Sequence, residues 1–132
     1  MKVFIDTSAF LAVLDADDDH HPHARASWET LLNADEILVT SNYVLLETFA
    51  LVQNRFGIEA VRVFQEDIVP VIHLLWVDEN AHRAAVSSLL AASRRTLSLV
   101  DCASFEMMRQ GGIKRAFAFD AHFAEQGFDL LE

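Results

Sequence analysis

Acidic residues with apolar neighbours are the part of this sequence that could do chemistry. Four of them stand out: Asp6, Glu47, Asp101 and Asp120. A carboxylate among apolar side chains is costly unless a cation or hydrogen-bond donors compensate its charge. Carboxylates that lie close together repel one another, so they either take up protons or bind a metal ion. We therefore treat the four residues as candidate ligands of one metal site.

The ligand type indicates which ion such a site would hold. No Cys and His residues at zinc-binding spacing accompany the four acids. Carboxylate oxygens are the ligands that hard cations prefer, which favours Mg²⁺ or Mn²⁺. Such a cation can lower the pKa of a bound water and stabilise charge on a phosphoryl group under attack. The pattern therefore predicts metal-assisted attack on a phosphoryl group.

Each acid also has a purely structural interpretation. Asp6 could cap the helix that follows it, and Asp120 could begin a turn. Asp101 comes three residues after Ser98, and S-x-x-D is a capping-box pattern. Taken singly, these signals are weak. Four such residues together, two of them directly after apolar strands, favour a functional site.

Glu47 lies within an apolar segment that predicts a helix over Tyr43–Asn54 (YVLLETFALVQN). The segment is apolar nearly all round, which is typical of a helix that is buried on most of its surface. An ion pair with Arg55 or Arg83 is the structural alternative for Glu47. Ion pairing and metal ligation are both compatible with this pattern.

The rest of the chain alternates strands with helices. Strand-forming segments occur at Lys2–Ile5, Ile37–Thr40, Val71–Val77, Ala116–Phe119 and Asp129–Leu131. Helical patterns occur at Ala9–Leu14, Pro22–Asn33, Tyr43–Asn54, Ile58–Asp67, Glu79–Arg95 and Leu99–Gln110. This alternation predicts an α/β fold whose parallel sheet is covered on both faces. Asp6 and Asp120 would then lie at the carboxyl edge of the sheet, where open α/β folds bind ligands.

Length and composition indicate one globular domain over residues 1–132. The chain is 52% hydrophobic and has two Pro and four Gly, which leaves no room for a long linker. The single Cys102 cannot form an internal disulfide, which favours a reducing cytosol. Asp6 interrupts the N-terminal apolar run, which is too short for a signal peptide or a membrane span. We expect a soluble, cytoplasmic protein.

Ten basic and twenty acidic residues give a formal net charge of −10. This balance counts against a protein that grips nucleic acid through bulk electrostatics, because phosphate contacts need Lys and Arg. It does not exclude an enzyme that reaches a phosphate through bound cations. It also favours a basic protein partner.

Four sequence blocks occur in a characteristic order: FIDTSAFLA, SNYVLLET, LSLVDCAS and AFAFDAHFAEQGF. Together they resemble the PIN domain, and specifically the toxin branch of bacterial toxin–antitoxin pairs (VapC-like). The resemblance covers nearly the whole chain. It implies a three-layer α/β/α fold with strand order 3-2-1-4-5. It also implies a Mg²⁺- or Mn²⁺-dependent endoribonuclease that acts as a toxin and inhibits translation and growth.

The resemblance also assigns residues. The family's acidic quartet falls on Asp6, Glu47, Asp101 and Asp120. The three aspartates are implied to hold one or two cations, and the glutamate to ligate or orient the attacking water. Hydroxyl residues that flank the acids in the family match Thr7, Ser8 and Ser98. His122 and Phe123 lie in the FDAHF block; packing is the expected role of Phe123, and the block implies no role for His122.

The toxin interpretation implies an RNA substrate and a small antitoxin with a basic tail, which the net charge would suit. A stand-alone PIN nuclease in RNA processing would carry the same motifs. A non-catalytic PIN-fold binding module is a further alternative, which the intact quartet disfavours. A haloacid-dehalogenase-type phosphotransferase needs Asp-x-Asp-x-Thr, whereas Ser8 stands two residues after Asp6. The acidic pair of a receiver domain is not visible either.

Histidines before the second predicted helix could suggest a transition-metal site. His20, His21 and His23 stand beside the acidic run Asp17–Asp19. A solvated loop is the preferred interpretation. His73, inside an apolar strand pattern, is expected in the core.

The apolar segment Tyr43–Val52, with Phe56 and Phe64 after it, has more hydrophobic surface than one small sheet needs. It predicts homodimerisation through this region.

Overall fold

The computed structural model describes residues 1–131. These residues contain one sheet of five parallel strands in the order β3-β2-β1-β4-β5. The strands are β1 (Lys2–Ile5), β2 (Ile37–Ser41), β3 (His73–Leu75), β4 (Arg115–Phe117) and β5 (Asp129–Leu131). The α/β class and the strand order expected from the resemblance are confirmed.

Helices connect the strands. They are α1 (Thr7–Leu14), α2 (His21–Asn33), α3 (Asn42–Phe56), α4 (Ile58–Val63), α5 (Glu79–Ala92), α6 (Leu99–Gln110) and α7 (His122–Glu125). Helix α4 continues into a π-helical turn over Phe64–Ile68 and a 3₁₀ turn over Val69–Val71. Among residues 1–131, no helix is both long and apolar enough to cross a membrane.

The central strand β1 explains the layered arrangement. Val3, Phe4 and Ile5 are each 0% exposed, although successive side chains of a strand point to opposite faces. Helices must therefore cover both faces of the sheet, which gives three layers. At the carboxyl end of β1, the Asp6 N–H donates to the Phe117 carbonyl at 3.0 Å. Asp6 thus lies at the carboxyl edge of the sheet, as the sequence predicts.

The third strand is shorter and more exposed than its sequence suggests. The run Val71–Val77 predicts a buried strand, but β3 spans His73–Leu75 and pairs only with β2 at the edge of the sheet. Trp76 is 68% exposed and His73 is also exposed, so the expectation of a core histidine is wrong. An apolar run does not distinguish a central strand from an edge strand, because position in the sheet is a tertiary property.

Strand β4 also ends earlier than predicted. It stops at Phe117, so Asp120 follows the strand after two intervening residues rather than directly. The cause is its neighbour β1, which ends at Ile5 because Asp6 already caps α1. The Phe119 N–H donates instead to the Ser8 hydroxyl at 2.9 Å.

Helix α3 is not buried on most of its surface, contrary to the prediction. Leu46 is 70% exposed and Phe56 is 42% exposed. Phe64, which the sequence groups with them, is fully buried and packs edge-on against Phe10 and Phe49 at ring-centroid distances of 5.3 and 5.2 Å. Phe64 therefore belongs to the core and is not available to a partner.

Candidate active site

Asp6 has both a structural and an electrostatic role. It is the N-cap of α1, and its Oδ2 accepts hydrogen bonds from the Ser8 N–H at 3.1 Å and the Ser8 hydroxyl at 2.7 Å. The residue is only 5% exposed. Burial, together with the charges of Asp101 and Asp120, raises the pKa of the Asp6 carboxyl to about 6, while the hydrogen bonds from Ser8 act to lower it. The buried carboxylate would therefore gain from a cation.

Asp101 lies in the first turn of α6, where it forms the capping box that the sequence suggests. Its backbone N–H donates to the Ser98 hydroxyl, and its Oδ2 accepts from the Ser98 N–H, both at 3.0 Å. Burial raises the pKa of the Asp101 carboxyl, and the neighbouring charge of Asp120 adds to this. Asp101 therefore both caps α6 and lies close to Asp120.

Asp120 lies between β4 and α7 and is partly exposed. Its Oδ1 accepts from the His122 N–H at 2.9 Å and lies 2.7 Å from His122 Nδ1. The other ring nitrogen of His122, Nε2, lies 3.4 Å from the Thr96 hydroxyl. The turn suggested by the sequence is present, and it folds His122 back onto the carboxylate.

Donor atoms of Asp101, Asp120 and His122 all lie within 4.8 Å of one another. Among residues 1–131, no other group of three or more His, Cys, Asp or Glu side chains is close enough to hold one metal ion. Two carboxylates and an imidazole fit a divalent cation, and Mn²⁺ accepts both oxygen and nitrogen ligands. Asp6 is outside this group of donor atoms, but the charges of both aspartates raise the pKa of its buried carboxyl.

The sequence alone indicates no role for His122. Its signal is the spacing Asp-x-His in FDAHF, which lets one turn bring the two side chains into contact. The histidines near Asp17–Asp19 behave differently. His21 Nδ1 lies 2.8 Å from the Ala12 carbonyl, and the His20 ring stacks on Phe119.

Glu47 is not part of the close cluster. It lies on α3, half-buried, and lines an apolar cavity of about 320 Å³ together with Leu99 and Val100, which directly precede Asp101. None of the ion pairs among residues 1–131 includes Glu47, and Arg83 pairs with Glu79 at 2.6 Å instead. The structure therefore brings Asp101 and Asp120 together, places Asp6 within range of their charges, and leaves Glu47 outside the group of close donor atoms.

The predicted hydroxyl residues connect the elements that carry the acids. The Thr7 hydroxyl lies 3.5 Å from the Val44 carbonyl and accepts from the Thr48 hydroxyl at 3.3 Å, which joins α1 to the helix of Glu47. The Ser8 hydroxyl links Asp6 to the Phe119 N–H. Ser98 fixes Asp101 at the start of α6. All three therefore position the backbone around the acids.

Comparison with known proteins places this chain in a family. Residues 3–129 match the model of the PIN domain. The chain is 34% identical over 130 residues to the 23S rRNA-specific endonuclease VapC20 of Mycobacterium tuberculosis, covering 96% of this chain and 95% of that protein.

Two solved structures extend the comparison. The crystal structure of VapC20 from M. tuberculosis, described as a Sarcin-Ricin loop cleaving toxin, has a TM-score of 0.85 and 32% identity over 96% of this chain and 95% of that one. VapBC2 of Rickettsia felis, bound to a DNA fragment from their promoter, has a TM-score of 0.73 at 11% identity over 98% and 97% of the two chains, a likeness of fold alone. On the family match and the identity to VapC20, the chain belongs to the PIN-domain family.

Proposed function

We propose that this protein is a divalent-metal-dependent endoribonuclease and the toxin of a toxin–antitoxin pair. The observation that carries the proposal is the group of close donor atoms of Asp101, Asp120 and His122, whose two aspartate charges also act on the buried carboxyl of Asp6 at the carboxyl edge of the sheet. It occurs in a chain that is 34% identical over nearly its whole length to a 23S rRNA-specific endonuclease. Ribosomal RNA is therefore the proposed substrate class, and the Sarcin-Ricin loop is the first site to test.

The residues of the candidate site would have different roles in cleavage. Asp101, Asp120 and His122 would hold a divalent cation, Mg²⁺ or Mn²⁺, and Asp6 would add its charge from the buried side. When bound, the cation would acidify a water molecule and offset charge on the phosphoryl group. Glu47, on α3, would orient the attacking water. Each role is a proposal for this chain.

Supporting residues would hold the acids still. Ser8 would keep the Asp6 carboxylate in one orientation through two hydrogen bonds. Ser98 would do the same for Asp101, and Thr7 would fix α3 relative to α1. Misplacing a catalytic group by a small distance can cost a large factor in rate, so these contacts matter for cleavage as well as for folding.

An antitoxin is the proposed regulatory partner. A small protein with a basic segment would complement the net charge of −10. A second copy of this chain is the other proposed partner, bound through the exposed apolar side chains of α3 and α4: Leu46, Phe56, Ile58 and Val63. A toxin that cuts ribosomal RNA would work in the cytoplasm.

The test is cleavage by the purified protein of 23S rRNA and of a hairpin carrying the Sarcin-Ricin loop, with 5′ ends mapped by sequencing. We expect cuts that need Mg²⁺ or Mn²⁺, stop on chelation and are absent with Asp6→Asn. Asp129→Asn, at an exposed acid of β5, is the matched control and should cut normally. Wild-type cleavage by the Asp6→Asn variant would overturn the site assignment.

Growth separates the toxin from a stand-alone nuclease. Induced expression should arrest growth, and co-expression of a short basic neighbouring reading frame should relieve the arrest. Cleavage without arrest would instead favour a nuclease of RNA processing. A protein that binds a basic partner but cuts no RNA would be a binding module.

A further inference from the structure

We propose that the stacked pair His20–Phe119 is a docking site for the nucleobase next to the cleaved bond. The inference rests on the ribonuclease function proposed above and specifies how the same site would select its RNA. The ring centroids of His20 and Phe119 lie 4.4 Å apart with an interplanar angle of 15°. Neither residue belongs to the acidic cluster.

The pair forms one wall of a cavity. Ala121, Ala124 and Leu130 complete the lining, and the volume is about 350 Å³. This size lies within the range of small-ligand sites, roughly 300–1,000 Å³. His20 is exposed, so its ring is accessible from solvent. The cavity is therefore large and open enough for a base.

The cavity and the candidate metal ligands are adjacent in the chain. Phe119 directly precedes Asp120, and its N–H donates to the Ser8 hydroxyl at 2.9 Å. The same hydroxyl donates to Asp6 at 2.7 Å. One side chain thus holds both the cavity wall and a candidate catalytic acid. An RNA strand whose phosphate lies at the acids would carry its adjacent nucleotide onto this wall.

The acidic loop and the aromatic rings on this side of the cavity favour contact with a base over contact with a phosphate. The loop before His20 is acidic, with Asp17 and Asp19 exposed and Asp18 accepting from the His20 N–H at 2.8 Å. Carboxylates repel phosphate, whereas a base is uncharged and presents a π face to an aromatic ring. Stacking of this kind contributes about tenfold or more to affinity per base.

A variant series at His20 tests the site. The substrate is a synthetic RNA hairpin that spans the cut mapped for the wild-type protein. We expect His20→Ala to raise KM about tenfold with little change in kcat, and His20→Trp to restore the wild-type KM. His23→Ala, an exposed histidine of α2 outside the cavity lining, should leave both constants unchanged. Thermal melts check that every variant folds.

An abasic scan of the hairpin identifies the docked nucleotide. Removing one base beside the cut should raise the wild-type KM as much as His20→Ala does. The two changes should not add, because each removes the same contact. Additive effects at every position, or an unchanged KM for His20→Ala, would overturn the docking site while leaving the nuclease intact. Failure of the wild-type protein to cut any RNA would overturn the proposed function, and the docking site with it.

Discussion

The Ser8 hydroxyl lies 2.7 Å from Asp6 Oδ2, within the first turn of α1. This bond joins a buried carboxylate to a side chain that also accepts from the backbone of the segment after β4. The Ser8 hydroxyl oxygen therefore holds both Asp6 and the segment that leads to Asp120.

Ser8→Ala should weaken both stability and cleavage. The variant leaves the Phe119 N–H without its acceptor and removes one of two bonds to Asp6. We expect a loss of about 1–2 kcal/mol in the free energy of unfolding and a fall in kcat of roughly ten- to a hundredfold. Urea unfolding and hairpin cleavage measure the two effects. Ser87→Ala, at an exposed position of α5, is the control and should change neither.

Asp6→Asn should stabilise the metal-free protein while abolishing cleavage. Burial raises the pKa of Asp6 from 3.8 to about 6, so charging this carboxyl opposes folding. An amide avoids that cost and can still accept from Ser8 through its oxygen. The gain at pH 7.5 should reach up to about 3 kcal/mol.

The raised pKa of Asp6 determines how this gain in stability changes with pH. The folded state binds the Asp6 proton more tightly than the unfolded state does. The stability that the protonated carboxyl contributes is therefore complete below pH 3.8 and is lost as pH rises through about 6. The advantage of Asp6→Asn should be largest above pH 6 and vanish near pH 4 when unfolding is measured in chelator. A gain that grows towards acid pH would contradict the buried-carboxylate assignment.

His122→Ala should weaken metal binding. The imidazole lies with Asp101 and Asp120 in the group of close donor atoms, and it also contacts Asp120 directly. We expect the Kd for Mn²⁺ to rise about tenfold or more, measured by calorimetry. The exposed His73→Ala variant on β3 should bind Mn²⁺ as the wild-type protein does. Equal affinities for both variants would remove His122 from the ligand set.

Leu46→Glu should separate the proposed dimer. Leu46 is 70% exposed on α3, and a charge at the centre of an apolar interface is costly. Sedimentation should show a dimer for the wild-type protein and a monomer for the variant. Leu90→Glu, at a side chain 73% exposed on α5, should stay dimeric. A wild-type protein that sediments as a monomer at high concentration would refute the interface.

Local patterns in the sequence predict much of this architecture, and the exceptions have physical causes. Asp6 could be placed at the sheet edge because VFI ends there and a helix begins, which are features of neighbouring residues. The exposure of Trp76 could not be predicted, since it depends on which strand lies at the edge of the sheet. The contact between His122 and Asp120 could not be predicted either, because it arises from a turn. The sequence groups Phe64 with surplus apolar surface, whereas a π-helical turn places it against Phe10 in the core.

Two acids of the candidate site also begin helices: Asp6 caps α1 and Asp101 completes a capping box at α6. A descendant that no longer cut RNA would still be under selection for a side chain that caps each helix, because the loss of a cap costs about 1 kcal/mol of stability. Glu47 takes part in no ion pair among residues 1–131 and would be free to drift. Among relatives of this chain, the residue at position 47 should therefore distinguish active from inactive nucleases better than the capping residues at positions 6 and 101 do.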